Sequence, residues 1–259
     1  MWFTIAFSTM VLLNLDPFEA TAKLIESGFH VEVCYDNFLV FGGRYVEDAL
    51  FKKFLDSIQS IRKTYIKSVH MPYDELDADT IPLEHILNRM VKWLRFAHEI
   101  GASIAVFHTL KTSSDPLNTN LHFFREIARE AMDRGIRIAV ENRLERELFG
   151  SKPEDLKNIV ESVGEGIGIC LDVGHANINK NLDAFLKTLE NSIIELHLHD
   201  NNGFRDEHKP PFTGSVDWNA VIRLIKRKGD ILPVFEIACR EPVTGCLSIA
   251  SRVKQEFEM

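Results

Sequence analysis

The feature that most restricts the fold is an eightfold alternation of short apolar segments with longer amphipathic ones. Each short segment is rich in β-branched or aromatic residues, and the segment after it has a helical period. The eight predicted strands are Phe3–Phe7, Val31–Tyr35, Ile66–His70, Ile104–His108, Ile136–Glu141, Ile167–Asp172, Ile193–His199 and Leu232–Glu236. Eight such βα units predict an α/β fold, a single (β/α)8 TIM barrel with the helices outside the strands.

Proline and glycine punctuate the predicted helices. Helix starts are indicated at Asp16-Pro17, Ile81-Pro82, Asp115-Pro116 and Lys152-Pro153, and helix ends at Gly28, Gly101, Gly135, Gly164 and Gly229. A doubly wound open sheet is the alternative, but no glycine-rich fingerprint follows the first strand. We find no linker or low-complexity stretch, so one domain over residues 1–259 is predicted.

Charge and apolar patterning limit the classes of partner. The formal net charge is -8 and the pI is near 5.7, which gives no overall basic field for nucleic acid and favours a small-molecule substrate. The apolar start has no Lys or Arg before Lys23 and no small-residue cleavage site, so it is predicted to be a strand rather than a signal peptide. No other apolar run reaches about eighteen residues. A cytoplasmic protein that contacts no membrane is predicted.

The cysteines show no metal-binding or redox spacing. Cys34, Cys170, Cys239 and Cys246 lack any CxxC pair, so we predict reduced core or loop residues rather than disulfides or a zinc ribbon.

Ionisable residues lie at the C-terminal ends of seven predicted strands, where the active sites of such barrels lie. They include Glu32 and Asp36, His70, His108, Glu141, Asp172 with His175, His197 with Asp206 and His208, and Glu236. Burying so many ionisable groups is costly unless a cation or a substrate satisfies them. Carboxylates and imidazoles without thiolates predict a catalytic divalent metal such as Zn, Mn, Co or Mg.

The densest cluster of such residues is ELHLHDNNGFRDEH, residues 195 to 208. It contains five nitrogen or oxygen donors: His197, His199, Asp200, Asp206 and His208. The alternation of Glu195, His197 and His199 is also compatible with one polar face of an ordinary strand.

Several segments together resemble the xylose isomerase-like barrels, a group that includes sugar isomerases, ketose epimerases and endonuclease IV. They are SVHMPY (68–73), VFHT (106–109), AVEN (139–142), LDVGHAN (171–177), LHLHDN (196–201), DEH (206–208) with the following TGSVDW, and VFEI (234–237). They span strands three to eight and therefore most of the chain.

For the isomerase and epimerase members, the resemblance implies one divalent metal held by Glu141, Asp172, His197 and Glu236. Glu141 and Glu236 are then the catalytic base and acid of a sugar or sugar phosphate isomerase or epimerase, which moves a proton through a metal-bound enediolate. Which sugar, and whether isomerisation or epimerisation, is left open. Barrels of this group often pair into homo-oligomers through their loop and helix faces.

The resemblance also implies substrate-binding residues. His175 matches a substrate-binding histidine of the pattern, and Glu147 loosely matches a substrate-contacting glutamate of ketose epimerases. The candidates for substrate contact are His70, His108, Arg143, Glu147, His175 and Arg205. Within the dense cluster, His197 is the expected ligand, whereas His199 is expected to point away or to lie behind the ligands.

Two other functions remain open. Endonuclease IV resembles this chain in a nine-ligand pattern, which implies a three-zinc phosphodiesterase acting at abasic sites in DNA; nucleic acid is a partner only in that case. Its ligands here are His70, His108, Glu141, Asp172, His175, His197, Asp206, His208 and Glu236. A barrel that binds a metal or sugar without turnover is the third hypothesis. The number of metal ions separates the first two.

Overall fold

Eight parallel strands close into a barrel in the order β1 to β8 in the computed structural model, which describes residues 4–258. The strands are β1 Ala6–Ser8, β2 His30–Val33, β3 Ile66–His70, β4 Ile104–His108, β5 Arg137–Glu141, β6 Ile167–Asp172, β7 Ile193–Leu198 and β8 Leu232–Phe235. The helices are α1 Pro17–Glu26, α2 Tyr35–Val40, α3 Glu47–Ser57, α4 Leu83–Ile100, α5 Pro116–Met132, α6 Pro153–Val163, α7 Val173–Asn179, α8 Leu182–Leu189, α9 Trp218–Lys228 and α10 Val243–Glu258. The predicted TIM barrel is confirmed.

Strand positions agree closely with the sequence pattern. Strands β3, β4 and β6 have the predicted bounds, while β7 and β8 each end one residue earlier than predicted. Strand β1 begins at Ala6, and the predicted start at Phe3 lies outside the described residues.

Local signals at the helix ends explain why the helices begin and end where they do. The Asp16 carboxylate accepts hydrogen bonds from the backbone N–H groups of Phe18 and Glu19, with Pro17 in the first turn of α1. Gly101 and Gly229 adopt the left-handed conformation that closes α4 and α9. No helix within residues 4–258 is long and apolar enough to span a bilayer.

Apolar side chains fill two separate regions. The larger core lies between the strands and the helices, and a smaller cluster of Ile104, Val106, Ala139 and Cys170 lies on strands β4 to β6. The alternation of side chains along a strand then places His108 on the same face as Val106, and Glu141 on the same face as Ala139. His108 and Glu141 therefore lie above a layer of apolar side chains on the same face of their strands.

The prediction that all four cysteines are reduced is wrong for one pair. Cys239 and Cys246 form a disulfide, with their Cα atoms 5.8 Å apart, whereas Cys34 and Cys170 are free and buried. Cys239 follows β8, and Cys246 lies in the first turn of α10, so the turn between strand and helix brings the two together. A separation of seven residues matches no short motif, which is why the sequence did not indicate the pair.

Candidate functional site

The strand register brings the predicted ligands to one end of the barrel. His108 pairs with Glu141 across β4 and β5, and Asp172 pairs with His197 across β6 and β7. Both pairs lie at or next to the C-terminal ends of their strands, and all four side chains are buried or nearly so. The ends of neighbouring strands therefore supply carboxylates and imidazoles at the same height in the barrel.

Glu141 is the centre of the site, because four imidazoles surround its carboxylate. Its Oε2 lies 3.1 Å from His70 Nε2 and 3.3 Å from His108 Nε2. Its Oε1 lies 3.5 Å from His175 Nδ1 and 3.6 Å from His197 Nδ1.

Glu236 approaches the same atom of His197 from β8. Its Oε2 lies 3.3 Å from His197 Nδ1, which has no hydrogen-bond partner although the ring is fully buried. This imidazole nitrogen lies between two carboxylates and forms a hydrogen bond with neither. It is therefore free to act as a ligand of a cation.

A second group of donors forms around Asp206. Its Oδ2 lies 3.0 Å from His208 Nε2 and 3.4 Å from His175 Nε2, and its buried Oδ1 has no hydrogen-bond partner. His199 Nε2 lies 3.6 Å from that Oδ1 and 3.1 Å from Asp172 Oδ2. Asp172 thus contacts this group rather than His197.

Three histidines share an orientation that favours metal binding. The Nδ1 atoms of His70, His175 and His208 lie at 2.9 to 3.1 Å from the backbone carbonyl oxygens of Met71, Asn142 and Glu236. A carbonyl only accepts, so each Nδ1 donates, and each Nε2 then faces a carboxylate. In a neutral ring that Nε2 holds a lone pair, which a carboxylate repels unless a proton or a cation lies between them. The donor set therefore fits divalent metal.

A deeper polar cluster lies directly below these ligands. Glu32, Ser68 and Glu195 are fully buried inside the barrel, and we call them the deep cluster. The Ser68 hydroxyl donates to Glu195 Oε1 at 2.8 Å, and His197 Nε2 lies 3.2 Å from Glu32 Oε2. Glu32 therefore holds the side of the His197 ring that faces away from Glu236.

The two central carboxyl groups have opposite pKa shifts. Burial alone would raise the pKa of Glu141, but the charges and hydrogen bonds of the surrounding imidazoles hold it well below its usual value. Burial raises the pKa of Glu236 to about 7, and the nearby charge of Glu32 adds to the effect. At neutral pH, Glu141 is ionised, whereas Glu236 is close to the midpoint of its titration.

The pKa values of His70 and His108, the two histidines next to Glu141 Oε2, also shift in opposite directions. Burial works against the charged form of His70, yet the hydrogen bond and charge of Glu141 overcome it and raise the pKa of His70 to about 10. Burial dominates at His108 and lowers the pKa of that imidazole to about 3. His70, whose Nδ1 also donates to a backbone carbonyl, is thus the histidine that stays protonated at neutral pH, whereas His108 does not.

A pocket of about 330 Å³ opens above the donors. Seven predicted ligands line it: His70, His108, Glu141, His175, Asp206, His208 and Glu236. The other lining residues are Met10, Asp36, Tyr73, Lys111, Arg143, Leu144 and Glu145.

The predicted substrate-contacting residues divide into two sets. His70, His108, His175 and Arg143 line the pocket, whereas Glu147 and Arg205 are exposed and do not. Glu145, two residues before Glu147, lies in the lining instead. Spacing alone did not distinguish these two glutamates, which follow Glu141 in the same loop.

Of the two positions expected for His199, pointing away or lying behind the ligands, the structure agrees with the second. Rather than pointing away, its ring is fully buried, contacts Asp172 and stacks on His208 with the ring centroids 3.9 Å apart. The ring fits because residue 174 is glycine: a Cβ there would lie 1.9 Å from His199 Cε1. His197 on β7 and His199 directly after the strand share the same parity, which was the signal that both rings face inward.

Other functional candidates were missed or left unassigned. In the sequence, Glu32 appears only among the ionisable residues near strand ends and Glu195 only in the alternation of one strand, although both lie next to His197. Tyr73, whose hydroxyl donates to Asp36 in the pocket wall, follows the predicted strand end at His70 by three residues. Their signal was position: Glu195 and Tyr73 lie on or just after a strand that carries a predicted ligand, and Glu32 lies on β2, which pairs with one of those strands.

A family model described as xylose isomerase-like TIM barrel matches residues 24–256. The chain belongs to the xylose isomerase-like TIM barrel family. The resemblance seen in the motifs is therefore confirmed. An uncharacterised protein of Methanocaldococcus jannaschii is 32% identical over 177 residues, which are 62% of this chain and 60% of that protein. A second one from that organism is 38% identical over 93 residues, 36% of each chain. These matches span less than two thirds of the curated relatives' lengths.

Solved structures show the same xylose isomerase-like fold. A D-tagatose 3-epimerase-like protein has a TM-score of 0.79 at 23% identity, with 98% of both chains covered. The IOLI protein with a binding zinc atom has a TM-score of 0.76 at 18% identity, covering 98% of this chain and 97% of that one. A Thermus thermophilus protein soaked with ZnCl2 has a TM-score of 0.67 at 26% identity, with 98% of both chains covered.

Proposed function

We propose that the protein is a divalent-metal-dependent isomerase or epimerase of a sugar or sugar phosphate. The observation behind this proposal is that Glu141 and Glu236 approach His197 Nδ1 at 3.6 and 3.3 Å and both line the pocket. Two buried carboxyl groups of opposite pKa shift, facing one small pocket, suit the removal and return of a proton at neighbouring carbons. Two structural neighbours, a D-tagatose 3-epimerase-like protein and a 3-keto-D-glucoside 4-epimerase, agree with this chemistry.

Glu141, His197 and Glu236 are the residues proposed to hold the metal. Asp172 is proposed as the fourth, although in this structure its carboxylate contacts His199. A divalent ion at this position would polarise a substrate carbonyl and acidify the adjacent C–H bond. Glu236 lines the pocket, and in the metal-free site its pKa is about 7, so its carboxyl group is placed to exchange a proton with a bound substrate. Glu141, kept ionised by its imidazoles, is suited to act as the base on the other side.

The test is solvent-proton exchange. Metal-loaded protein is incubated in D2O with a panel of aldoses, ketoses and their phosphates, and deuterium incorporation is followed by NMR. The wild type is expected to label one substrate at a carbon next to the carbonyl. Glu236→Gln should bind metal, remain folded and lose exchange by at least about 100-fold, since general acid–base groups contribute about that much or more. Exchange at the wild-type rate in that variant would sink the proposal.

The second candidate is a zinc phosphodiesterase acting at abasic sites in DNA. It is favoured by the separate donor group of His175, Asp206 and His208, which is suited to hold a further metal ion. Metal analysis and an abasic-duplex nicking assay separate the candidates. Three zinc ions per chain together with nicking would replace the isomerase proposal, whereas one ion and no nicking at micromolar protein would remove the nuclease.

A further inference from the structure

One wall of the pocket is positively charged, in contrast to the rest. Among the described residues that line the pocket, Lys111 and Arg143 are the only lysine and arginine. They come from the loops after β4 and β5, and both face Glu145, at 3.8 Å from Lys111 Nζ and 3.5 Å from an Arg143 guanidinium nitrogen. Two neighbouring cations thus share one carboxylate at the edge of the pocket.

Arg143 is fixed in place from behind. It is only 5% exposed, its Nε donates to the Thr109 hydroxyl at 3.0 Å, and a terminal nitrogen donates to the Thr109 carbonyl. Its third nitrogen faces Glu145. A buried guanidinium requires a negative partner, and the structure leaves one donor direction for it.

Lys111 is anchored by its backbone and free at its tip. Its N–H donates to the Leu76 carbonyl at 2.8 Å, and its own carbonyl accepts from Ala78 at 2.9 Å. Its side chain is half exposed and is beyond hydrogen-bond distance of Glu145. The ammonium group can therefore turn to a ligand without disturbing the loop.

Glu145 is the replaceable member of the group. Its side chain is 39% exposed, and both of its ion pairs are longer than a good hydrogen bond. Partly exposed ion pairs of this length are weak, so an anionic group of a ligand competes effectively for the same donors.

We propose that Lys111 and Arg143 form an anion subsite of the pocket, and that the substrate has a phosphate or carboxylate group which displaces Glu145. The inference deepens the proposed function by naming the substrate class, but the subsite itself does not depend on turnover. Removing Glu145 should strengthen anion binding, and removing the Lys111 charge should weaken it. A purely structural role for these residues would not produce effects of opposite sign.

The experiment is isothermal titration of inorganic phosphate, and of acetate, into metal-loaded protein. Lys111→Gln is expected to weaken binding of the preferred anion about tenfold, the effect of one charged hydrogen bond, and Glu145→Gln to strengthen it. Lys157→Gln, on the outer helix α6, is the matched control and should match the wild type. Preference for phosphate or for acetate identifies the charged group.

Unchanged affinity in both variants, or a change in the same direction, would overturn the subsite. Metal content is measured for each variant. Where it is equal, anion that binds directly to the metal contributes equally to every titration. If Lys111→Gln does not fold, the gain expected for Glu145→Gln still decides the question. Opposite shifts without any isomerase activity would support the subsite while contradicting the proposed function.

Discussion

The barrel interior contains two layers of buried polar side chains, each with a carboxyl oxygen that lacks a hydrogen-bond partner, and they differ in that the upper layer opens to the pocket. In the deep cluster, the Ser68 hydroxyl and the His197 ring donate to the carboxyl groups of Glu195 and Glu32, and none of the three deep residues lines the pocket. In the upper layer, imidazole nitrogens and carboxylates face each other, and Glu141 and Glu236 open to the pocket. Both layers are buried and acidic, so burial and charge alone do not identify the reactive one.

The difference lies in how the rings are held. In the upper layer, His70 and His208 donate through Nδ1 to backbone carbonyls, which fixes Nε2 toward a carboxylate. The deep cluster contains no histidine of its own and contacts only the far side of His197. The upper layer is therefore suited to bind a metal, and the deep layer to position one of its ligands.

The largest expected effect is that of metal removal. If the upper layer binds a divalent ion, chelation should lower the free energy of unfolding by about 3 to 4 kcal/mol at metal concentrations several hundred-fold above the dissociation constant. Thermal unfolding with and without chelator, followed by addition of metal, measures this. Identical unfolding temperatures with and without chelator would contradict the proposal that the upper layer binds a metal and the deep layer does not.

A smaller effect should separate the members of the deep cluster. Glu32→Gln removes the charge next to His197 Nε2 and is expected to weaken metal affinity about tenfold, as for other residues that orient a ligand. Glu195→Gln is the matched control, because Glu195 lies 3.8 Å from that nitrogen and bonds to Ser68 instead. Competition with a chromophoric chelator gives both dissociation constants, and equal losses would contradict a specific role for Glu32.

The smallest effect is expected at Ser68. Ser68→Ala leaves a buried oxygen of Glu195 without its donor and should destabilise the fold by about 1 kcal/mol. Metal affinity should change less than twofold, since Ser68 touches no proposed ligand. Urea unfolding and the same chelator assay measure the two quantities, and a large loss of affinity would show that the layers act as one.

Sequence reasoning was most successful where a simple period decides the structure. The alternation of strand and helix predicted the barrel, and the position of His70, His108, Glu141 and Glu236 at the C-terminal ends of the predicted strands placed them at one end of it. How the metal-binding side chains group together was harder to predict from the sequence, because it depends on the register between neighbouring strands. Strands β6 and β7 shift register between Ile169 and Cys170, a detail that no periodicity sets, and Asp172 contacts His199.

Loop residues were the hardest to place. Arg143 lines the pocket because Thr109, on a neighbouring loop, binds its guanidinium group. Glu145 and Glu147 are equivalent in a sequence pattern, and only the course of the loop separates the lining residue from the exposed one. The contact between Thr109 and Arg143 joins residues 34 apart in the chain, which local propensities do not describe.

The close approach of Gly174 to the His199 ring makes two distant positions of the chain mutually dependent. Any side chain at residue 174 would occupy the space of the imidazole, so a change there requires a smaller residue at 199. Such a paired change would also remove the ring that contacts Asp172 and stacks on His208. The first turn of α7 thus leaves the space that the His199 imidazole occupies. Relatives with a side chain at position 174 are expected to differ at position 199 as well.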